Sequence, residues 1–319
     1  MKIIMNNHDW LSDLKPLYAA QHSWLAGSYN KMITAHLFGP ADAPFSIACG
    51  AGLLAEHVSR FKFSPPVIQR LGQVTNVEGR SVFQESFLNH LQRLRLRTHV
   101  NAAPEGTLIL PGEPLLTIQA SELQLLLLES AIRLLIWEST VWATASATEQ
   151  WIQGNFSEEV TPHAGPFSFN RKGWEMRARY IGGGEGGGLD YSPDDFESSD
   201  EGVEWPGLTK VENASGQSLT QIRRLFKGEQ PLGDVWLTAE QDAMASVSHT
   251  RIQFFDEPSG KATEVQMSRF QNLMQPLLVK GHPVLNAPGL DYLRQRSWKQ
   301  LDAFKNTNLE SYPRGWIFL

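Results

Sequence analysis

The sequence predicts an α/β protein in which helices with broad apolar faces flank short strands, and three observations point to it. Apolar residues recur at helical spacing through Val82, Phe83, Phe87, Leu88, Leu91 and Leu94, and again along the leucine-rich run 123–145. Between these, β-type runs at 107–110 and 115–118 are broken by "PEG" and "PGEP", whose prolines and glycines stop a helix and set turns. Upstream, "FSIACGAGLLAEHVSRFKF" reads as a strand at 45–48, a glycine turn and a helix to about Phe61.

Each element has its own warrant. Ser81 followed by Gln84 is a capping-box start for the helix of "SVFQESFLNHLQRLRL", and Ser121 with Gln124 repeats the signal before the leucine run. Glu129 and Arg133 form an i,i+4 pair on that second helix. Glu129, Arg133 and Glu138 also interrupt its apolar run, well short of the ~20 uncharged residues a membrane span needs, so a buried amphipathic helix is expected. No internal repeat is visible. The 319 residues, 41% of them apolar and 10% aromatic, suffice for a large core divided between two lobes.

Charge and cysteine usage narrow the function. A formal charge of -6 argues against a general binder of nucleic-acid backbones, which needs clustered Lys and Arg, and leaves open only a local basic pocket such as "NRKGWEMRAR". Cys49 is the single cysteine, which excludes an internal disulfide and a multi-cysteine zinc site. "MKIIMNNHDW" lacks the apolar segment of a secretory signal, and a cytoplasmic location with no membrane partner is expected.

Common catalytic signatures are missing: there is no G-x-x-x-x-G-K-[ST], no G-x-S-x-G and no H-E-x-x-H. "GGGEGGG" at 182–188 is followed by "LDYSPDDFE", without the apolar helix that a dinucleotide-binding turn opens. Asp190, Asp194, Asp195, Glu197, Asp200, Glu201 and Glu204 offer carboxylates for a hard cation, but the Gly, Ser and Pro between them favour a solvated acidic loop.

The order of the pieces carries a resemblance. "SYNKMI", "ACGAGLLAEHVSRFKF", "NAAPEGTLILPGEPLLTIQASELQLLLLESAIRLLIWEST" and "RARYIGG" together resemble the N-terminal half of a nicotinate phosphoribosyltransferase. Ala102, Glu105, Gly106, Pro111, Glu113, Pro114, Leu115 and Leu116 match that family's "A-x-x-E-G-x-x-x-x-P-x-E-P-L-L" segment. Glu122, Gln124, Leu125 and, out of the usual step, Glu129 match its "E-x-Q-L-x-E" helix, and the segment from Pro276 to the end resembles the family's last stretch. The resemblance implies an α+β sandwich built from both chain ends, here 1–142 and 276–319, joined to a (β/α) barrel at 143–275. Those roughly 135 residues fall short of the about 200 that a complete barrel needs, so a trimmed, incomplete barrel is expected.

The family's reaction joins nicotinate to the anomeric carbon of phosphoribosyl diphosphate as diphosphate leaves, and the resemblance implies Mg²⁺ and ATP as cofactors. Tyr29 matches the tyrosine of a "D-x-Y" that reaches the ring across a dimer, with Gly27 standing where the acid would be. The ring and carboxylate motif "F-G-x-R-R" has two registers in "GPFSFNRKGW": Phe167 with Asn170 and Arg171, or Phe169 with Lys172 in the first arginine's place. Arg171 is the better carboxylate ligand, because a planar guanidinium pairs bidentately. "RARYIGG" aligns with "R-A-A-Y-x-G-G", which implies a phosphate-handling strand and turn with Arg177, Gly182 and Gly183 at the phosphate. The chain departs where the family continues into "G-T-S-N", and "MASVSHT" only faintly echoes "G-T-x-x-H-S", which carries His249 over as a catalytic candidate.

Two expectations of different class follow. One is a pentosyltransferase with a shortened barrel acting on nicotinate or a related aromatic acid or amide. The other is a catalytically silent relative serving as a binding or regulatory subunit, as a homodimer or beside a paralogue.

Overall fold

In a computed structural model, residues 14–40, 42–153, 171–183, 207–212, 215–244, 251–284 and 288–317 are described. Pro16 lies in the first turn of α1 (Lys15–Leu25), where a missing N–H costs nothing. The chain continues through β1 (Met32–Phe38), β2 (Ser46–Ile47), α2 (Ala51–Arg60), α3 (Pro65–Gly72), α4 (Glu85–Arg93), β3 (His99–Ala102), β4 (Leu108–Ile109) and β5 (Pro114–Ser121). After α5 (Glu122–Ile132), a π-helical turn (Arg133–Glu138) leads into α6 (Ser139–Gln153), and α7 (Arg171–Ile181) follows. Then come β6 (Gln221–Lys227), β7 (Gln230–Leu237), α8 (Ala239–Met244), β8 (Arg251–Asp256), β9 (Lys261–Gln266) and β10 (Arg269–Asn272). The last elements are β11 (Gln275–Val279), β12 (His282–Pro283), α9 (Leu290–Phe304) and β13 (Arg314–Trp316).

These elements make a mixed α/β fold. A five-stranded antiparallel sheet has the order β1-β5-β3-β11-β12, so strands from late in the chain close onto strands from its first third. Six of the first seven residues of β5, all but Gln119, are buried, as befits a central strand covered on both faces. A second sheet, β10-β6-β7-β13, is antiparallel except where β13 runs parallel to β7. Among the described residues of 143–275, β6 with β7 and β8 with β9 form antiparallel hairpins, alongside α7 and α8.

α5 presents Leu123, Leu127, Leu128, Ala131 and Ile132 to the main core, the stripe its periodicity predicts. Each fully buried Leu or Ile there contributes roughly 1.5–3 kcal/mol. A second core gathers Phe45, just before β2, with Ile47, Leu108, Ala143, Ala178 and Leu293 from β2, β4, α6, α7 and α9. No helix among the described residues is long and apolar enough to cross a membrane.

Four local expectations differ from the structure. α4 begins at Glu85, not Ser81, whose hydroxyl instead donates to the Phe83 carbonyl at 3.0 Å. Its start is held from α1: Gln21 Nε2 donates to the Val82 carbonyl and Gln21 Oε1 accepts the Gln84 N–H, each at 2.8 Å. At α5 the capping box does not close, because Gln124 Oε1 accepts the Arg97 N–H at 2.7 Å. Arg133 faces Glu138, five residues on and 3.7 Å away, rather than Glu129, since the π turn widens the spacing at which side chains align. "RARYIGG" lies in α7 and its end, where a strand and turn were expected.

Candidate active site

The site begins at the glycine turn after β2. Gly50 has φ +91, and a Cβ there would lie 1.6 Å from the Leu135 carbonyl oxygen of the π turn, so only glycine permits this approach. Thr140 and Thr144, one turn apart on α6, accept the Cys49 and Ile47 N–H groups at 3.2 and 3.0 Å. Helix hydroxyls thus satisfy the backbone of β2 and its turn, and Cys49 is fastened beside α7.

Arg177 projects from α7 into this corner. Its Nη2 donates to Glu105 Oε2, and its Nη1 lies 3.6 Å from Cys49 Sγ. Glu105 Oε1 accepts the Gly52 N–H at the start of α2 at 3.3 Å, where a carboxylate complements the helix dipole. The two charged side chains are 13% and 5% exposed, so their pairing is largely dry. Burial opposes the Arg177 charge, but Glu105 and the Cys49 sulfur outweigh it and raise the guanidinium pKa. Burial pushes the Cys49 thiol up to about 12 against the pull of Arg177, which leaves it a neutral packing group rather than a nucleophile.

The end of α7 is bound to α9. The Tyr180 hydroxyl donates to Asp291, and burial followed by the Asp291 carboxylate raises its pKa to about 12. Arg294 stacks over the Tyr180 ring at 4.7 Å and donates to the Gly183 carbonyl at 3.1 Å. The Gly182 and Gly183 N–H groups donate to the Ala178 and Tyr180 carbonyls, ending the helix, so neither amide is offered to a phosphate. A Cβ on Gly182 would lie 2.0 Å from the Ala143 carbonyl oxygen, which explains glycine at this contact with α6.

A second buried ion cluster lies behind β4. Arg224 on β6 pairs with Asp234 on β7 at 2.7 Å and approaches Glu113 at 3.7 Å, with all three side chains fully buried. It also donates to the Leu108 carbonyl at 2.8 Å, and the Tyr312 hydroxyl donates to Asp234 at 3.2 Å. Burial, then the neighbouring Asp234 carboxylate, drive the Glu113 carboxyl well above its usual range despite Arg224. The two acids of the "E-G-x-x-x-x-P-x-E-P" segment therefore each face a buried arginine from later in the chain.

The other expected residues are dispersed. Tyr29 packs against Trp24 and His90, with ring centroids 4.4 and 5.7 Å away, and shares no partner with Arg177. Arg171 and Lys172 occupy the first turn of α7, six and five positions before Arg177. Phe167, Phe169, His249 and the stretch 184–206 lie outside the described residues. Among the described residues no three His, Cys, Asp or Glu side chains gather to hold a metal ion. The contacts of Asp291 and Arg294 are not legible in the sequence, because their partners lie more than 100 positions away.

Comparison with known proteins bears on this arrangement. No protein-family model matches the sequence. The nicotinate phosphoribosyltransferase pncB1 of Mycobacterium tuberculosis, in two strains, is 26% identical over 124 residues, which is 38% of this chain and 26% of that protein. The chain thus matches about a quarter of the length of these curated relatives. The crystal structure of human nicotinic acid phosphoribosyltransferase superposes with a TM-score of 0.70 and 15% identity, covering 96% of this chain and 97% of that one. The fold is that of a nicotinate phosphoribosyltransferase. The buried pairs Glu105–Arg177 and Glu113–Arg224 are therefore features of this chain's version of that fold.

Proposed function

We propose that the chain is a nicotinate phosphoribosyltransferase-like pentosyltransferase that moves phosphoribosyl from phosphoribosyl diphosphate to nicotinate or a related aromatic acid or amide. The observation that carries this is the shared fold along 96% of the chain. In the reaction the ring nitrogen bonds to the anomeric carbon as the bond to diphosphate breaks, so the protein's task is to orient two anionic reactants. The first turn of α7, in which Arg171 and Lys172 fall, is assigned to the acceptor's carboxylate. Tyr29, with Phe167 or Phe169, is assigned to the ring, and His249 to proton transfer. Arg177, Gly182 and Gly183 act as scaffold on the phosphate side, because the guanidinium is held by Glu105 and both amides are spent. Mg²⁺, which the resemblance implies, would supply positive charge beside the diphosphate, but no cluster among the described residues is assigned to hold it. A homodimer or a pairing with a paralogue, without nucleic acid or membrane, completes the proposal.

The commitment of Arg177 and both glycine amides favours a second possibility, a catalytically silent relative acting as a binding or regulatory subunit. Incubation of the full chain with nicotinate, phosphoribosyl diphosphate, Mg²⁺ and ATP, followed by mass spectrometry, separates the two. Nicotinate mononucleotide that forms with the native chain and is lost in Arg171→Ala supports the transferase. Calorimetric binding of nicotinate without product supports the silent relative.

A further inference from the structure

A cavity of about 460 Å³ opens beside the Glu105 corner, between α2, the loop after β3, and the segment from β11 to the start of α9. Its volume falls within the ~300–1,000 Å³ typical of small-molecule sites. Much of the wall is apolar and stiff: Ala51, Ala55, Pro104, Pro276, Leu277 and Pro288. Among the described residues, Tyr29, Arg177, Gly182 and Gly183 do not line it.

Glu56 and Arg60 neutralise each other at 2.6 Å, and the Ser59 hydroxyl donates to the Glu56 carbonyl at 2.8 Å. The Glu105 carboxylate is taken by Arg177 and the Gly52 N–H. Arg296 remains. It makes no ion pair among the described residues, and its guanidinium is anchored by donating to the Glu105 carbonyl at 3.1 Å and the Tyr292 hydroxyl at 3.3 Å. An arginine has five N–H donors, so the anchored group keeps donors for a further acceptor. Because it is held before any ligand arrives, ordering it costs little on binding.

We propose that this cavity binds a small monocarboxylate with an apolar body, its carboxylate on Arg296 and its body against the alanine and proline wall. The proposal goes beyond the transfer reaction and does not depend on it. A phosphate would satisfy Arg296 but leave the apolar wall wet, and a neutral molecule would leave the Arg296 charge, unpaired by an acid among the described residues, without an anion.

The test is titration of the ¹⁵N-labelled full chain with benzoate, with benzyl alcohol and inorganic phosphate as the other arms. Benzoate is expected to shift the amides of Gly52, Ala55 and Leu277 saturably, while benzyl alcohol and phosphate bind at least about tenfold more weakly. Arg296→Gln should weaken benzoate about tenfold with thermal stability nearly unchanged, and Arg296→Lys should restore part of the affinity. Ala55→Leu, which fills the cavity, should block binding; if that variant does not fold, Arg296→Gln decides. The proposal is overturned if benzoate leaves those amides in place, if either other ligand binds as well, or if Arg296→Gln has no effect. Loss of benzoate binding in Arg171→Ala but not in Arg296→Gln would overturn it too, while supporting the transferase site at α7. Failure to form nicotinate mononucleotide would leave this cavity's role untouched.

Discussion

Glu105 joins three parts of the molecule: its carboxylate meets Arg177 on α7 and the first turn of α2, and its carbonyl anchors Arg296 on α9. Replacing it by glutamine keeps the shape but strands a buried guanidinium. Glu105→Gln should lower unfolding free energy by about 3–5 kcal/mol in urea denaturation, with part of the loss recovered when Arg177→Met is added. Cys49 gives a chemical readout of the same corner. With its thiol near 12 and its side chain buried, native protein at about pH 8 should react with iodoacetamide far more slowly than the urea-unfolded chain, whose thiol has an ordinary pKa. A fast native reaction would show that the corner is open.

At the scale of elements, the decisive contact is a glycine turn pressed onto a π-helical turn. Gly50→Ala sets a Cβ 1.6 Å from a backbone carbonyl that cannot move without unwinding the helix behind it. A loss of more than about 4 kcal/mol, or failure to fold, is expected by thermal denaturation. Gly79, also at positive φ (+74) but with nothing within 4 Å of the added atom, should lose only about 1–2 kcal/mol on substitution by alanine. Equal losses would mean that the left-handed backbone, not the packing, dominates at both. The apolar period of the leucine run foretold α5, but the π turn was not legible. It depends on what Gly50 and the buried Leu135, Ile136 and Trp137 meet in the fold, and only the displaced Glu129 hinted at a change of step.

Across the whole molecule, Glu113, Arg224 and Asp234 link the segment before β5 to the β6–β7 hairpin through a dry ion cluster with two acids and one arginine. A carboxyl whose pKa is raised on folding contributes stability that is fully present below the ordinary carboxylate range and is lost as pH climbs toward the folded value. Glu113→Gln removes that titration. Its melting temperature relative to the native chain should therefore rise from about pH 4 to about pH 8, and a difference that falls or stays flat would show that Glu113 is charged in the fold.

By itself the sequence determined the α/β class, the strand–glycine–helix unit after Phe45, the strands before α5, the buried face of α5 and the resemblance to nicotinate phosphoribosyltransferases. These follow from local periodicity, turn residues and short motifs, all of which act within a few residues. Tertiary structure alone decided that "RARYIGG" is a helix and its end, that Gln21 holds the start of α4, and that Glu105 and Glu113 face Arg177 and Arg224. A charge carries no sequence-local sign of its partner. Which arginine a buried acid meets is set by how distant elements pack, since burial is tolerable only where that packing supplies the opposite charge.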